Sequence, residues 1–392
     1  MLSFLHSADW QIGKPFARVQ DPDKRALLRQ ARINCIDRIG AVAQSQAASL
    51  LLVAGDLFDS PTPSSSDISA VCQAIGRLPL PVLVIPGNHD HGAPGSVWHQ
   101  PFFKAEQQRR APNLQVLLER EPLVLEEAIV LPCPLLRRHE SEDPTAWIRN
   151  LAWSDLPSDR PRILLAHGSV HGFGADDLDA DEENPSSDRN RLRLDPALLD
   201  AVDYVALGDW HGLKQIQAKA WYSGTPEPDR FPRSEDYQGE QVLAVRVNRG
   251  GLPQVSAERT GALHWLHHRV ELHSEEDLGR LERSLEQQLG DEPGQHLLLL
   301  EESGRLSFQA HRRYALLLER LEAQLLRLKR RGRCEEAPDA LELDQLTSRA
   351  DDPLIATVAS RLQQDLSNPE LPAQERALLQ QALAELHRCV GA

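Results

Sequence analysis

Short apolar runs that each break off at a polar cluster recur through the first 260 residues. Leu2–Ala8 ends at Asp9, Leu50–Ala54 at Gly55-Asp56, and Val82–Ile85 at Gly87-Asn88-His89-Asp90. Ile163–Ala166 ends at His167-Gly168, and Tyr204–Leu207 at Gly208-Asp209-Trp210-His211. Runs this short, rich in Val, Ile and Leu, suit strands covered on both faces. The stretch from Asp23 to Ala48 between the first two runs is helix-like and too long for a hairpin. The alternation predicts an α/β layered fold. The polar residues follow the runs, and the carboxyl ends of strands are where open α/β sheets gather their ligands.

Ala220–Ser223 and Val242–Val247 are expected to be further strands of this domain. From about Gly261 the texture changes: strands at Val270–Leu272 and His296–Leu300, with a helix from Glu275 to Leu289, predict a small α+β unit. Tyr314, Leu317, Leu318, Leu321, Leu325 and Leu328 recur at helical spacing, and the basic cluster Arg327 to Arg333 is expected to close that helix. This stripe either docks on its own domain or fits a partner's groove. Two amphipathic patterns follow, Ile355/Val358/Leu362/Leu366 and Leu379/Leu383/Leu386. The acidic segment from Asp176 to Asp188 reads as a loop. The expected organisation is a domain over 1–260, an α+β unit with the basic helix over 261–345, and a helical segment over 346–392.

Charge narrows the function classes. With 43 Lys+Arg against 58 Asp+Glu the chain carries a formal −15, whereas a generic polyanion binder leans basic. A nucleic-acid role therefore needs a local site. The five cysteines, Cys35, Cys72, Cys133, Cys334 and Cys389, are too dispersed for a zinc ribbon or a redox pair and read as reduced cytoplasmic thiols. The opening MLSFLHSADW has no basic n-region or long apolar h-region, so no secretory leader is expected. No apolar stretch approaches the about 18 residues of a membrane span.

The clusters Asp9-Trp10-Gln11, Gly55-Asp56-x-x-Asp59, Gly87-Asn88-His89-Asp90, His167-Gly168 and Gly208-Asp209-Trp210-His211 offer carboxylates, amide oxygens and imidazoles without a thiolate. Such mixed O/N donors suit Mn, Fe or Zn. A dinuclear centre needs a bridging carboxylate between ions about 3.5–4 Å apart, and Asp56, directly after a glycine, is a sensible bridge. In this order the clusters resemble the calcineurin-like metallophosphoesterase superfamily. HSADWQIG, AGDLFD, PGNHD and ALGDWHG are similar to its DNA-repair exonuclease branch, which includes the nuclease subunit of the bacterial SbcC–SbcD complex.

The resemblance spans roughly residues 1–260 and implies a four-layer β-sandwich flanked by helices, with a small α+β capping domain and C-terminal helices. It implies two divalent metal ions, Mn2+ first and Mg2+, Fe or Zn2+ as alternatives. Asp9, Gln11 and His211 would hold one ion, Asn88, His167 and Asp209 the other, and Asp56 would bridge them. In the family a metal-bound hydroxide attacks phosphorus in line, a histidine matching His89 assists the leaving oxygen, and Asp90 would orient His89. The implied function is hydrolysis of DNA in repair, as exonuclease or endonuclease. The implied partners are DNA, an ABC-type ATPase with a coiled coil (SbcC-like) and a second copy in a homodimer. A small-molecule phosphodiesterase or phosphatase, and a weakly active metal-binding scaffold for an ATPase, are the alternatives.

Two positions depart from the family pattern. Many members have His where this chain has Gln11 and where it has Asp209. A glutamine oxygen is a neutral and weaker donor, so the first site should hold its ion loosely. Asp209 adds a negative charge beside the second, where tight occupancy is expected. Of the neighbours, Asp59 is expected to brace its loop, His6 to pack behind the site, and Trp10 and Trp210 to pack rather than stack on a base. His171 is a loop histidine that could touch substrate.

Overall fold

Within the strand Leu2–Ser7, Phe4 and Leu5 are both fully buried and point to opposite faces. That two-sided burial sets the layering of the first unit in this computed structural model, which describes residues 1–170, 189–231 and 237–390. The first sheet has six strands in the order Gln254–Arg259, Gln241–Val247, Leu2–Ser7, Leu51–Val53, Val82–Val84 and Leu114–Val116. The last four run parallel, and the first two are antiparallel additions. The second sheet orders Lys214–Gln217, Ala220–Tyr222, Tyr204–Gly208, Arg162–His167, Ile129–Cys133 and Leu123–Val124. Its four inner strands are parallel.

Side chains that alternate along these strands build separate cores. Phe4, Leu52 and Leu83 of the first sheet join Ile163, Leu165 and Ala206 of the second in a core between the sheets. Leu5, Leu51 and Val53 face outward against Ile36, Ile39 and Val71, from the helices Pro22–Ser45 and Ser65–Ile75. On the far side, Leu131, Leu164 and Leu207 meet Ile148 and Leu198. The α/β sandwich expected from the sequence is the fold observed: two mixed sheets face to face with helices outside. The helix Pro22–Ser45 starts where Asp21 accepts from the Asp23 and Lys24 amides and Pro22 takes the first position.

The chain divides into two compact units, Met1–Leu263 and His264–Ala392. In the second, strands His264–Leu272, His296–Leu306 and Arg327–Gly332 run parallel, with Glu335–Glu336 pairing the end of the central strand. Helices Glu275–Leu289 and Phe308–Gln324 pack Leu278, Leu281, Tyr314, Leu317 and Leu321 onto that sheet. This corrects two sequence expectations. The helix ends at Gln324, and Arg327–Gly332 is a strand rather than a basic helix end. Leu325 and Leu328 fit a helical stripe by spacing, but the Leu326 amide donates to the His296 carbonyl at 2.9 Å and strand pairing wins. The basic residues find acidic partners across the sheet, Arg330 on Glu302 at 2.6 Å and Arg331 on Glu301 at 3.4 Å. The stripe itself is buried in its own unit, so it is no partner groove.

The expected boundary at 345/346 falls inside the helix Ala340–Thr347. That helix, Pro353–Leu366 and Ala373–Val390 bury Leu346, Ala359, Leu383 and Ala384 together with Phe308. Asp176 to Asp188 and His171 lie outside the described residues. No helix among the described residues is long and apolar enough to cross a membrane.

Truncating Leu317, which is 3% exposed in the second core, should cost about 2–5 kcal/mol. Amide-exchange protection across residues 264–390 of Leu317→Ala, compared with the parent, measures this. A loss well under about 1 kcal/mol would place Leu317 outside the core that stabilises this unit.

Candidate metal centre

The loops that leave the parallel strands of both sheets carry the polar clusters to one place. Asp9, Asp56 and His167 bring one donor atom each to within 4.8 Å of one another, all three side chains buried. Asn88 Oδ1 lies 2.8 Å from His167 Nε2, and Asp56 Oδ2 and Asp209 Oδ1 each lie 3.7 Å from the same nitrogen. The Asp209 amide donates to both carboxylate oxygens of Asp9, at 3.2 and 3.3 Å. His211 and Gln11 sit together to one side, Gln11 Nε2 3.3 Å from His211 Nε2. Every residue expected to hold metal is thus in or beside this centre, and their grouping is uneven. Asp9, Asp56, Asn88, His167 and Asp209 converge on one point, while Gln11 and His211 face each other.

The titration of these groups follows from their crowding. Burial pushes the Asp9 carboxyl up to about 8, the imidazole of His167 opposes this, and the carboxylates of Asp56 and Asp209 add to it. Burial also disfavours the charged form of His167, but Asp56, Asp9 and Asp209 outweigh it and raise the imidazole to about 9. Asp209 is raised, mainly by burial. Asp56 runs the other way: burial opposes its charge, and His167 and His89 hold it below the usual carboxylate range. Oxygen donors around one imidazole, with carboxylates whose mutual repulsion a divalent cation would offset, are a fitting donor set for the hard-to-borderline metals.

His89 stands at the rim, with 31% of its side chain exposed. Its orienting partner is the correction here. Asp90 does not touch the His89 ring. Its carboxylate accepts from the Gly87 amide at 2.7 Å and the Phe58 amide at 3.1 Å, so both oxygens are committed to pinning the 87–90 turn onto the 56–59 loop. The His89 Nδ1 instead meets the backbone carbonyl of Asp59 at 3.1 Å. Asp59 therefore braces the loop and aims the ring through its main chain. Burial disfavours the His89 charge, but Asp56 and Asp59 outweigh it and raise the imidazole. Trp10 is buried with its indole donating to Ser7 Oγ at 2.8 Å, and Trp210 packs edge-on to Tyr237. His6 is fully buried behind the site, its Nε2 on the Leu207 carbonyl and its Nδ1 on the Tyr204 hydroxyl.

Several polar residues at the centre escape a reading of the sequence. The buried Arg32 donates to the carbonyls of Trp10, Asp9 and Glu227 and to Thr225 Oγ1. Lys14 reaches Gln11 Oε1 at 2.8 Å and Asp229 Oδ2 at 2.9 Å. Asp229 and Arg230 flank His211, each 3.2 Å from its Nδ1. The rule that found the other clusters would have found these: Thr225, Glu227, Asp229 and Arg230 follow the apolar run Ala220–Ser223. Burial and the Arg230 charge push His211 down to about 4, and Asp229, against Arg230, His211 and Lys14, is held far below the usual range despite its burial.

The sequence matches the calcineurin-like phosphoesterase family over residues 2–238. The chain belongs to that family, whose chemistry is metal-dependent hydrolysis of phosphoesters and whose members use divalent metal ions. Among solved structures, TT1561 of Thermus thermophilus is similar at 13% identity and a TM-score of 0.40, covering 66% of this chain and 99% of its own. A second, also 13% identical, has a TM-score of 0.38 and covers 66% of this chain and 98% of its own.

His6 yields a pH prediction. Burial pushes its imidazole from 6.5 down to about 3, so in acid the unfolded chain binds the proton first. Its contribution to stability is complete above pH 6.5 and falls as the pH drops toward 3, by about 1.4 kcal/mol per unit. His6→Gln offers an amide donor and acceptor in place of the ring nitrogens and has no titration in this range. Urea unfolding between about pH 7 and 4 should show the parent losing stability faster by roughly that slope. Parallel losses would mean that His6 accepts its proton in the folded state.

Proposed function

We propose that the protein is a nuclease that hydrolyses phosphodiester bonds in DNA during repair, in the cytoplasm, with a coiled-coil ABC-type ATPase as partner. The observation that carries the hydrolytic part is the convergence of Asp9, Asp56 and His167 at the strand ends, with Asn88 beside them. The DNA part rests on the sequence blocks HSADWQIG, AGDLFD, PGNHD and ALGDWHG and their likeness to the repair exonucleases. Partner binding is supported by Leu341, Leu354, Val358 and Leu378, apolar and exposed on the three last helices.

Divalent metal, Mn2+ in this reading, would be held by Asp9, Asp56, Asn88, His167 and Asp209, and would supply Lewis-acid charge to the phosphate. The protein's own groups do the rest. His167 keeps Nδ1 on the Ala54 carbonyl at 2.7 Å, which aims Nε2 at the centre. Asn88 and Asp56 are locked in place through the 87–90 turn, where the His89 amide donates to Asp56 Oδ1 at 2.9 Å. His89, with Nδ1 tied to the Asp59 carbonyl, has Nε2 left to hand a proton to the leaving oxygen. Proton transfer of this kind contributes about 10²–10⁴-fold.

Purified chain with Mn2+ should cut duplex or single-stranded DNA. His89→Asn should lower turnover by about 10²–10⁴-fold, and Asp56→Asn should lower it at least as far. Activity that survives both substitutions would overturn the site. Hydrolysis of a small diester with no cut in DNA would replace the nuclease with a small-molecule phosphodiesterase.

A further inference from the structure

We infer that this centre binds one divalent ion tightly rather than a pair, because Lys14 holds the oxygen that Gln11 would need for a second. The inference rests on the metal-dependent reading of the site and not on the choice of substrate.

Lys14 Nζ lies 2.8 Å from Gln11 Oε1 and 2.9 Å from Asp229 Oδ2. An ammonium only donates, so the Gln11 oxygen must face it. The amide NH2 is thereby turned to His211, 3.3 Å from Nε2, and that nitrogen must accept. The imidazole hydrogen then sits on Nδ1, where the Asp229 carboxylate lies at 3.2 Å to receive it. Arg230 pairs with the same carboxylate at 3.1 Å. Arg230 Nη2 also lies 3.2 Å from Nδ1, but in this tautomer it donates to Asp229 and not to the ring, and the network spends both neutral donors on this side. The Gln11 oxygen is capped by an ammonium, and the His211 Nε2 lone pair by an amide.

An ion placed between Gln11 and His211 would have to break both contacts. It would then sit beside the cationic Lys14 and Arg230, and the carboxylate on that side, Asp229, is already shared between those two cations and His211. Gln11 is also fixed in its main chain. It is 1% exposed, its φ is +43°, and its amide donates to the Asp56 carbonyl at 2.8 Å, so the side chain has little freedom to swing its oxygen inward. The His167 side has the opposite character. Asp9, Asp56 and Asp209 bring negative charge there, and Asn88 adds an amide oxygen close to His167 Nε2.

Titrating the metal-stripped full chain with Mn2+ tests this, with stoichiometry from equilibrium binding and the electron paramagnetic resonance spectrum as readouts. One equivalent per chain is expected, with the hyperfine sextet of an isolated ion persisting when Mn2+ is in excess. The double variant Gln11→His with Lys14→Met supplies an imidazole and removes the ammonium, and should raise the stoichiometry from one to two with an exchange-coupled spectrum. An exchange-coupled pair in the unaltered protein overturns the inference, whether or not the variant folds. A folded double variant that still binds one equivalent overturns it too. Absence of any Mn2+ binding sinks both this inference and the metal-dependent site, whereas one bound ion with no DNA cleavage leaves this inference standing and removes only the nuclease reading.

Discussion

The centre depends on one hydrogen bond that joins the two sheets. His167 ends a strand of the second sheet, Ala54 follows a strand of the first, and the imidazole Nδ1 meets the Ala54 carbonyl at 2.7 Å. A carbonyl can only accept, so Nδ1 carries the hydrogen and Nε2 is the atom presented to Asp56, Asn88 and Asp209. The approach is so close that neighbouring positions must lack a side chain. A Cβ on Gly208 would lie 1.9 Å from the Ala54 oxygen, and one on Gly55 would lie 2.3 Å from His167 Nδ1. His6 repeats the device one layer back, linking the first sheet to Leu207 and Tyr204 of the second. The sandwich thus holds the centre as a seam between its sheets.

Bringing carboxylates to that seam strains the main chain. Asp9, Gln11, Asp56 and Asp209 all have positive φ, at +55°, +43°, +53° and +106°, where side chains other than glycine are disfavoured. Such conformations persist only when their surroundings over-determine them, and here they do. The amides of Asp9, Gln11 and Ile12 donate to the carbonyls of Gly55, Asp56 and Leu57 at 3.1, 2.8 and 2.9 Å, lacing the two loops together. Arg32 holds the Asp9 and Trp10 carbonyls from behind. A guanidinium buried to 3% exposure is costly unless its donors are met, and four oxygens meet them. The strained turn and the buried cation stabilise each other.

Much of this was legible in the sequence, and the part that was not has a physical cause. Strand ends were readable because Leu2–Ala8, Leu50–Ala54 and Tyr204–Leu207 are apolar on both faces and stop at glycine or aspartate. The helix Glu275–Leu289 was readable to the residue, since its leucines keep one face and Ser274 caps it. Arg327–Gly332 was not, because its place in a sheet is decided by pairing with the distant His296–Leu306 and not by its own periodicity. The role of Asp90 was misread for a similar reason. Proximity in GNHD suggests contact with His89, but a tight turn aims neighbouring side chains apart. Asp229 and Arg230 could be found by their place after the run Ala220–Ser223, but their meeting with Lys14 is set by tertiary packing that spacing does not encode.

The net charge of −15 takes its meaning from this seam. Asp9, Asp56 and Asp209 crowd one point, and a phosphate approaching those carboxylates meets repulsion of about 4 kcal/mol per pair at about 4 Å and an effective dielectric near 20. A divalent cation among them would offset two of those three charges and would itself attract a phosphate oxygen. Attraction for a phosphoester at the centre is then conditional on metal, and the buried surroundings of Asp9, Asp56 and His167 strengthen it. Lys14 and Arg230 both pair with Asp229, which offsets one of their two charges. A phosphoesterase with this net charge has to draw its substrate through a metal at the centre and not through its overall charge.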